Sequence, residues 1–160
     1  MREIKCRGKR VDNGEWITGY FLKDEITGQC FIFALGNSVN ESERVGEEGC
    51  LKLFAFEVDE ETVGPYTGLK DFKRTEEFPE GQEIYEGDII ECKCKFDNKY
   101  YIAHFMTEIE WDETMGGFLF QDSEYSWVGM EAISDGGSYT CEVIGNIYDN
   151  PELLKGGSHE

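Results

Sequence analysis

Basic residues are scarce in this chain of 160: 15 Lys and Arg stand against 34 Asp and Glu, a formal charge of −19. That balance excludes nucleic-acid phosphates as a default ligand and disfavours anionic membrane surfaces. Histidine is nearly missing, with two residues, and proline is rare, with three. No apolar run reaches the roughly 18 residues that a spanning helix needs. No apolar stretch follows the charged opening Met1-Arg2-Glu3-Ile4-Lys5. The reading therefore expects no signal peptide, no membrane span and a cytoplasmic protein. Helical periodicity is almost absent. So are C-x-x-C, G-x-S-x-G, G-x-G-x-x-G, the P-loop and H-E-x-x-H, which leaves no catalytic or nucleotide-binding motif to build on.

What the chain has is apolar and aromatic bulk. Hydrophobic residues make up 39%, and three Trp, eight Tyr and eleven Phe can fill a core. This excludes wholesale disorder despite the charge. Six cysteines (6, 30, 50, 92, 94, 141) are irregularly spaced. Without a secretion signal they are expected to be reduced and mostly buried. Cys92 and Cys94 share one face of a strand, but a zinc site needs about four converging ligands, so Cys92, Cys94 and Cys141 are read as structural. His104 lies within a strand and is read the same way, and His159 falls in a Gly-rich tail. Asp112-Glu113 and Glu108 with Glu110 are acid pairs that fit a solvated surface better than a cation site, because the calcium-loop spacing is absent. Asn40-Glu41-Ser42 matches a glycosylation sequon without consequence in the cytosol. The expectation is that there are no catalytic, cofactor-binding or metal-binding residues and no enzymatic activity.

Charge is unevenly spread. Residues 1–10 carry Arg2, Lys5, Arg7, Lys9 and Arg10 against Glu3, whereas residues 100–154 contain eleven acids and no Lys or Arg. Three readings are open: a solvating acidic surface, self-association of the basic strand of one subunit with the acidic face of another, and mimicry of nucleic-acid charge.

Alternation of apolar and polar side chains predicts strands over 2–10, 16–23, 29–35, 50–58, 89–96, 99–106 and 139–148. Asn13-Gly14 is expected to turn the first hairpin, placing Val11 opposite Trp16 and Cys6 opposite Phe21. Residues 36–49 are polar and Gly-rich, as a loop would be. Residues 59–63 can form a short helical turn, and Gly64-Pro65-Tyr66-Thr67-Gly68 reads as a turn. In the central hairpin Asp97-Asn98 forms the turn, with Cys94 opposite Tyr101, Cys92 opposite Ala103 and Ile90 opposite Phe105. Gly87-Asp88 reads as a kink entering a strand and Gly145 as a bulge. Pro151 can open a short terminal helix. The fold class is mainly β, a small multi-stranded barrel or sandwich with few short helical turns.

Four stretches, in order, carry a resemblance: Ile4-Lys5-Cys6-Arg7-Gly8-Lys9, residues 62–71 (TVGPYTGLKD), Ile84-Tyr85-Glu86-Gly87-Asp88-Ile89, and residues 142–154 (EVIGNIYDNPELL). The chain resembles the YopX family of phage and prophage proteins over residues 1 to about 154. It departs in two places. Cys6 stands where an aromatic residue is usual, and residues 72–83 are longer than the usual Asn-Gly link.

The resemblance implies a β-rich fold with an SH3-like barrel element, a phage or prophage origin and a homo-oligomer. It implies a single domain over residues 1–154, in which an N-terminal segment (residues 1–58) and a barrel segment (residues 84–148) can be told apart, followed by a flexible tail at 155–160. It brings no activity with it. The function expected is that of an accessory protein acting through self-assembly and contact with an unknown host or phage protein, with no direct nucleic-acid or membrane binding. The alternative is an acidic nucleic-acid mimic that inhibits a host DNA- or RNA-binding or defence protein.

Overall fold

Strand dominates the computed structural model, which describes residues 4–35, 53–94, 104–123, 126–133 and 139–155. The chain divides into two compact units, 1–66 and 67–160. The first contains β1 (Cys6–Lys9), β2 (Trp16–Lys23), β3 (Cys30–Leu35), β4 (Leu53–Glu57) and the start of β5 (Gly64–Lys70). They pair antiparallel in the order β4-β3-β2-β1-β5, so the basic strand β1 is an interior strand.

The first hairpin corrects the predicted register. Lys9, not Val11, lies opposite Trp16, and Cys6 lies opposite Gly19, not Phe21. The reversal takes the four residues 11–14 instead of two. Gly14, at φ +74°, donates its N–H to the Arg10 carbonyl at 3.0 Å, and Asn13 Oδ1 accepts from the Glu15 N–H at 3.0 Å. A slip of two keeps each side chain on its predicted face, which is why the apolar pattern could not detect it.

Strand β2 then changes partner midway. Trp16–Gly19 pair with β1 and Tyr20–Lys23 with β3. Gly19 sits at the change, where a Cβ would run into the Phe33 carbonyl. Ile17, Cys30, Ile32, Ala34 and Val58 form the buried side, with Phe54, Phe56 and Val63 packed against them. Phe54, Phe56 and Val58 thus share a face, as the alternation over 50–58 requires.

Residues Glu60–Thr62 form the expected helical turn, of 3-10 type. Asp59 caps it by accepting from the Glu61 N–H at 3.1 Å, and Thr62 Oγ1 accepts from the Lys9 N–H at 2.9 Å. The turn expected at 64–68 is instead strand. The Tyr66 N–H donates to the Lys5 carbonyl at 2.9 Å, and Pro65 lies opposite Cys6. Pro65 has no N–H to give to the ladder, and the pairing with β1 is carried by its neighbour, the Tyr66 N–H.

The second unit holds the rest of β5 with β6 (Glu83–Tyr85), and two three-stranded sheets. One has the order β12-β7-β8, from β7 (Asp88–Cys94), β8 (His104–Glu108) and β12 (Tyr139–Asn146). The other has the order β11-β10-β9, from β9 (Glu110–Asp112), β10 (Gly117–Ser123) and β11 (Ser126–Gly129). Short 3-10 turns follow at Met130–Ile133 and Pro151–Lys155, the latter opened by Pro151 as expected.

The β7–β8 hairpin exists, again two residues out of the predicted register. Cys92 faces Phe105, not Ala103, and Ile90 faces Thr107, not Phe105. The expected turn at Asp97-Asn98 and the partner Tyr101 lie outside the described residues, as does the loop expected over 36–49. Gly145 does mark a bulge, with the β12–β7 register shifting between Val143 and Gly145. The kink before β7 is present too: Gly87 is at φ +78°, and buried Asp88 accepts from the Tyr85 N–H at 2.8 Å. The fold is mainly β, as expected. It consists of several antiparallel sheets, and among the described residues none of them closes into a barrel.

Ile84, Ile90, Ile109, Phe118, Phe120 and Ile133 lead the core of this unit. Asp71 is buried beside it and accepts from the Gln82 N–H at 2.8 Å and the Val143 N–H at 3.1 Å. The expectation of reduced cysteines fails at one pair. Cys92 and Cys141 face each other across β7 and β12 with Cα atoms 4.3 Å apart, and they form a disulfide. A directly opposed cross-strand pair brings two thiols together whatever their sequence spacing.

Candidate functional site

The N-terminal sheet is apolar on both sides. Strand alternation and register put Ile17, Ile32 and Val58 inward. On the other side lie Trp16, Tyr20 and Leu22 of β2, Phe31, Phe33 and Leu35 of β3, and Leu53 of β4. Part of this outer side is open to solvent, with Tyr20 56% exposed, Leu22 53% and Leu53 57%, while Trp16, Phe31 and Phe33 are half-buried. A half-buried sheet usually turns polar residues outward, so its composition here is unusual.

The basic residues of β1 border the same outer side. The Arg7 guanidinium carbon lies 4.6 Å from the Trp16 ring centroid and Lys9 Nζ lies 5.9 Å from it. Lys5 Nζ is 4.8 Å from the Tyr66 centroid. Ring faces hold these cations in place and leave their charge beside the apolar surface. Arg10 is different. It is buried on the inner side, 4.2 Å from the Phe56 centroid, with Nε and Nη2 donating to Asp12 at 2.9 and 2.7 Å. The Asp12 carboxyl is held below its usual range by that bond. Sequence alone ranks Arg10 with Arg7 and Lys9; burial separates it from them.

A groove of about 570 Å³ runs past Arg10, Cys30 and Glu60. Lys23 and Glu60 form an ion pair there, which raises the lysine and lowers the carboxyl. The Cys30 thiol is buried and pushed up, first by desolvation and then by Glu60. A thiol held protonated is a poor nucleophile.

The second unit presents an acidic surface. Glu110 and Asp112 lie on the outer side of the β9–β10–β11 sheet with Leu119, Gln121 and Trp127, because Glu110 pairs with Leu119 and Gln121 with Trp127. Trp127 is 52% exposed. Glu86 joins this edge by accepting from the Trp111 N–H at 3.3 Å. The Glu108 carboxyl is raised, first by burial and then by the charges of Glu110 and Glu86. The acid pairs noted in the sequence are thus gathered only partially: Glu108 and Glu110 come together with Glu86. Asp112 instead caps a turn, accepting from the Met115 N–H at 2.6 Å.

Among the described residues no group of three or more His, Cys, Asp or Glu is arranged to hold a metal ion. The three cysteines considered for zinc do not converge as thiolates, since Cys92 and Cys141 are bonded to each other. His104 lies opposite Lys93 in the β7–β8 ladder, and His159 is outside the described residues. Among the described residues no helix is long and apolar enough to cross a membrane. Sequence reading missed the outer apolar side altogether. Its signal is present in Phe31-Ile32-Phe33, where consecutive large residues must point both ways.

Among solved structures the chain is similar to protein EF1440 from Enterococcus faecalis, at 24% identity and a TM-score of 0.49, with 96% of this chain and 99% of that one covered. No curated protein matches. The family model described as YopX protein matches residues 5–155, which include all four stretches singled out in the sequence apart from Ile4. The chain belongs to the YopX protein family.

Proposed function

We propose that this is a phage or prophage accessory protein that works without catalysis, by self-assembly and protein–protein contact in the bacterial cytoplasm. One observation carries the reading: the N-terminal sheet has a second apolar side, exposed at Tyr20, Leu22 and Leu53 and bordered by Lys5, Arg7 and Lys9. Contiguous exposed apolar surface rimmed by charge is the signature of a contact site. Apolar burial would supply the affinity and the cations would set orientation and rate, since exposed charge pairs contribute only about 0–1 kcal/mol each.

Light scattering tests this directly. At high micromolar concentration and about 0.15 M salt the expected mass is a multiple of the 18.3 kDa chain. Leu22→Asp with Leu53→Asp should reduce it to the chain mass. A wild-type protein that scatters as a single chain overturns self-assembly.

The grouping of Glu86, Glu108 and Glu110 supports a second reading, an acidic surface that imitates nucleic acid. Competition by the protein for the DNA sites of host DNA-binding proteins would support it, and failure to displace any of them would count against it.

A further inference from the structure

We infer that the outer side of the β9–β10–β11 sheet is a docking face for a basic segment of another protein, which lays one cationic side chain on Trp127 and brings a second to Glu110. This rests on the protein–protein contact reading and names a partner class for the second unit. It does not require self-assembly.

The argument begins with the shape of the face. Phe118 and Phe120 of β10 turn into the core. Alternation and register therefore send Glu110, Leu119 and Trp127 the other way. Leu119 is half-buried there and Trp127 is 52% exposed. Two glycines share this side, Gly117 opposite Asp112 and Gly129 opposite Leu119. A Cβ at Gly117 would meet nothing within 4 Å. The floor of the face is low at both glycines, between carboxylates on β9 and the indole on β11. Two strand spacings separate β9 from β11, about 10 Å, which is room for an extended segment.

Charge chooses the occupant. Glu110 is exposed, and Glu86 and Glu108 stand near enough that their mutual repulsion adds to burial in raising Glu108. Among the described residues the ion pairs of this unit fall on other carboxylates: Lys70 with Glu80, Lys73 with Glu142 and Lys93 with Glu91. No Lys or Arg occurs anywhere in residues 100–154. A cation arriving at this edge relieves the repulsion, and indole is the best aromatic seat for one. A protruding tryptophan is also a common anchor in protein contacts. Nucleic acid would be repelled by the same carboxylates. The guanidinium must come from another protein, since Arg10 of this chain is buried and so are Nε and Nη2 of Arg7.

The test titrates the full chain into a short fluorescein-labelled peptide that alternates arginine and serine, at about 0.15 M salt, and reads anisotropy. Wild type should bind this peptide at least tenfold more tightly than the same peptide with neutral citrulline for arginine. Trp127→Ala and Glu110→Lys should each weaken binding at least tenfold, and Trp127→Phe, which keeps a ring, should restore most of the loss. Glu25→Lys makes the same change in net charge at an exposed turn of the first unit and should alter binding less than twofold. Circular dichroism checks that every variant is folded.

Equal binding of the citrulline peptide overturns the inference. So does binding that survives both Trp127→Ala and Glu110→Lys, or that Glu25→Lys weakens as much as they do. Light scattering scores self-assembly separately. Trp127→Ala should keep the wild-type mass, and loss of that mass would assign the face to a second copy and overturn the inference. Peptide binding through Trp127 by a wild type of single-chain mass would remove self-assembly and support the docking face.

Discussion

Arg7 lies over the Trp16 ring, its guanidinium carbon 4.6 Å from the centroid, on strands that the register sets side by side. The contact fixes a positive charge, with Nε and Nη2 buried, on the side of the sheet opposite its core. Arg7→Met keeps much of the stem and removes the cation. The ring contact alone should account for about 0.5–1 kcal/mol of stability, read as a fall in the urea midpoint. Trp16 emission should change with it, and an unchanged midpoint and spectrum would show that the stacking contributes nothing.

Gly19 is held to glycine by the Phe33 carbonyl, not by its backbone angle. Gly19→Ala forces a Cβ against that oxygen and should destabilise by about 1–3 kcal/mol, as overpacking does. Gly28 provides the contrast. A Cβ there meets nothing within 4 Å, yet φ is +75°, so Gly28→Ala should cost about 1–2 kcal/mol through backbone strain alone. Adding a flanking apolar-to-smaller change at Ile32, which lies near Gly19, should ease neither, because the Gly19 clash is with backbone.

Asp71 joins three segments of the second unit through the N–H groups of Gln82 and Val143. Asp71→Ala leaves two donors unmet near the core, at about 1–3 kcal/mol each. Hydrogen exchange should quicken at both amides. Protection at Gln82 and Val143 equal to wild type would refute the role.

The disulfide predicts a thiol count. If Cys92 and Cys141 are bonded, replacing both with Ala leaves the number of titratable thiols in denatured protein unchanged. If they are reduced, the count falls by two. Closing a loop with a sequence separation of 49 should also stabilise the oxidised chain by about 4 kcal/mol on the loop-entropy model, seen as a lower unfolding midpoint after reduction.

Glu108 sets a pH dependence. Its folded carboxyl is raised by burial and by Glu110 and Glu86, so the folded state holds the proton more tightly than the unfolded chain. Its favourable contribution is complete below the unfolded value near 4.5 and is lost as pH rises through the folded one. Glu108→Gln should therefore stabilise the protein at neutral pH. The advantage should disappear below about pH 4, where wild type is protonated as well. A variant no more stable than wild type at pH 7 would contradict the repulsion.

Local patterning determined a good deal. Alternation over 50–58 placed Phe54, Phe56 and Val58 on one side of their strand, since side-chain direction in a strand has a period of two. Glycine chemistry marked the kink at Gly87 and the bulge at Gly145, because those backbones suit few other residues. Ordered motifs identified the family. Register was not legible: both hairpins moved by two residues, a shift that the same period of two conceals. Tertiary structure decided three further matters. It set Cys92 opposite Cys141, 49 residues apart, because strand pairing and not spacing brings them together. It buried Arg10 while leaving Arg7 and Lys9 on the outer side, which depends on which side of the sheet becomes core. And it left Tyr20, Leu22 and Leu53 in solvent, because a sheet of residues apolar in both directions has two sides to cover and the fold of the unit covers one.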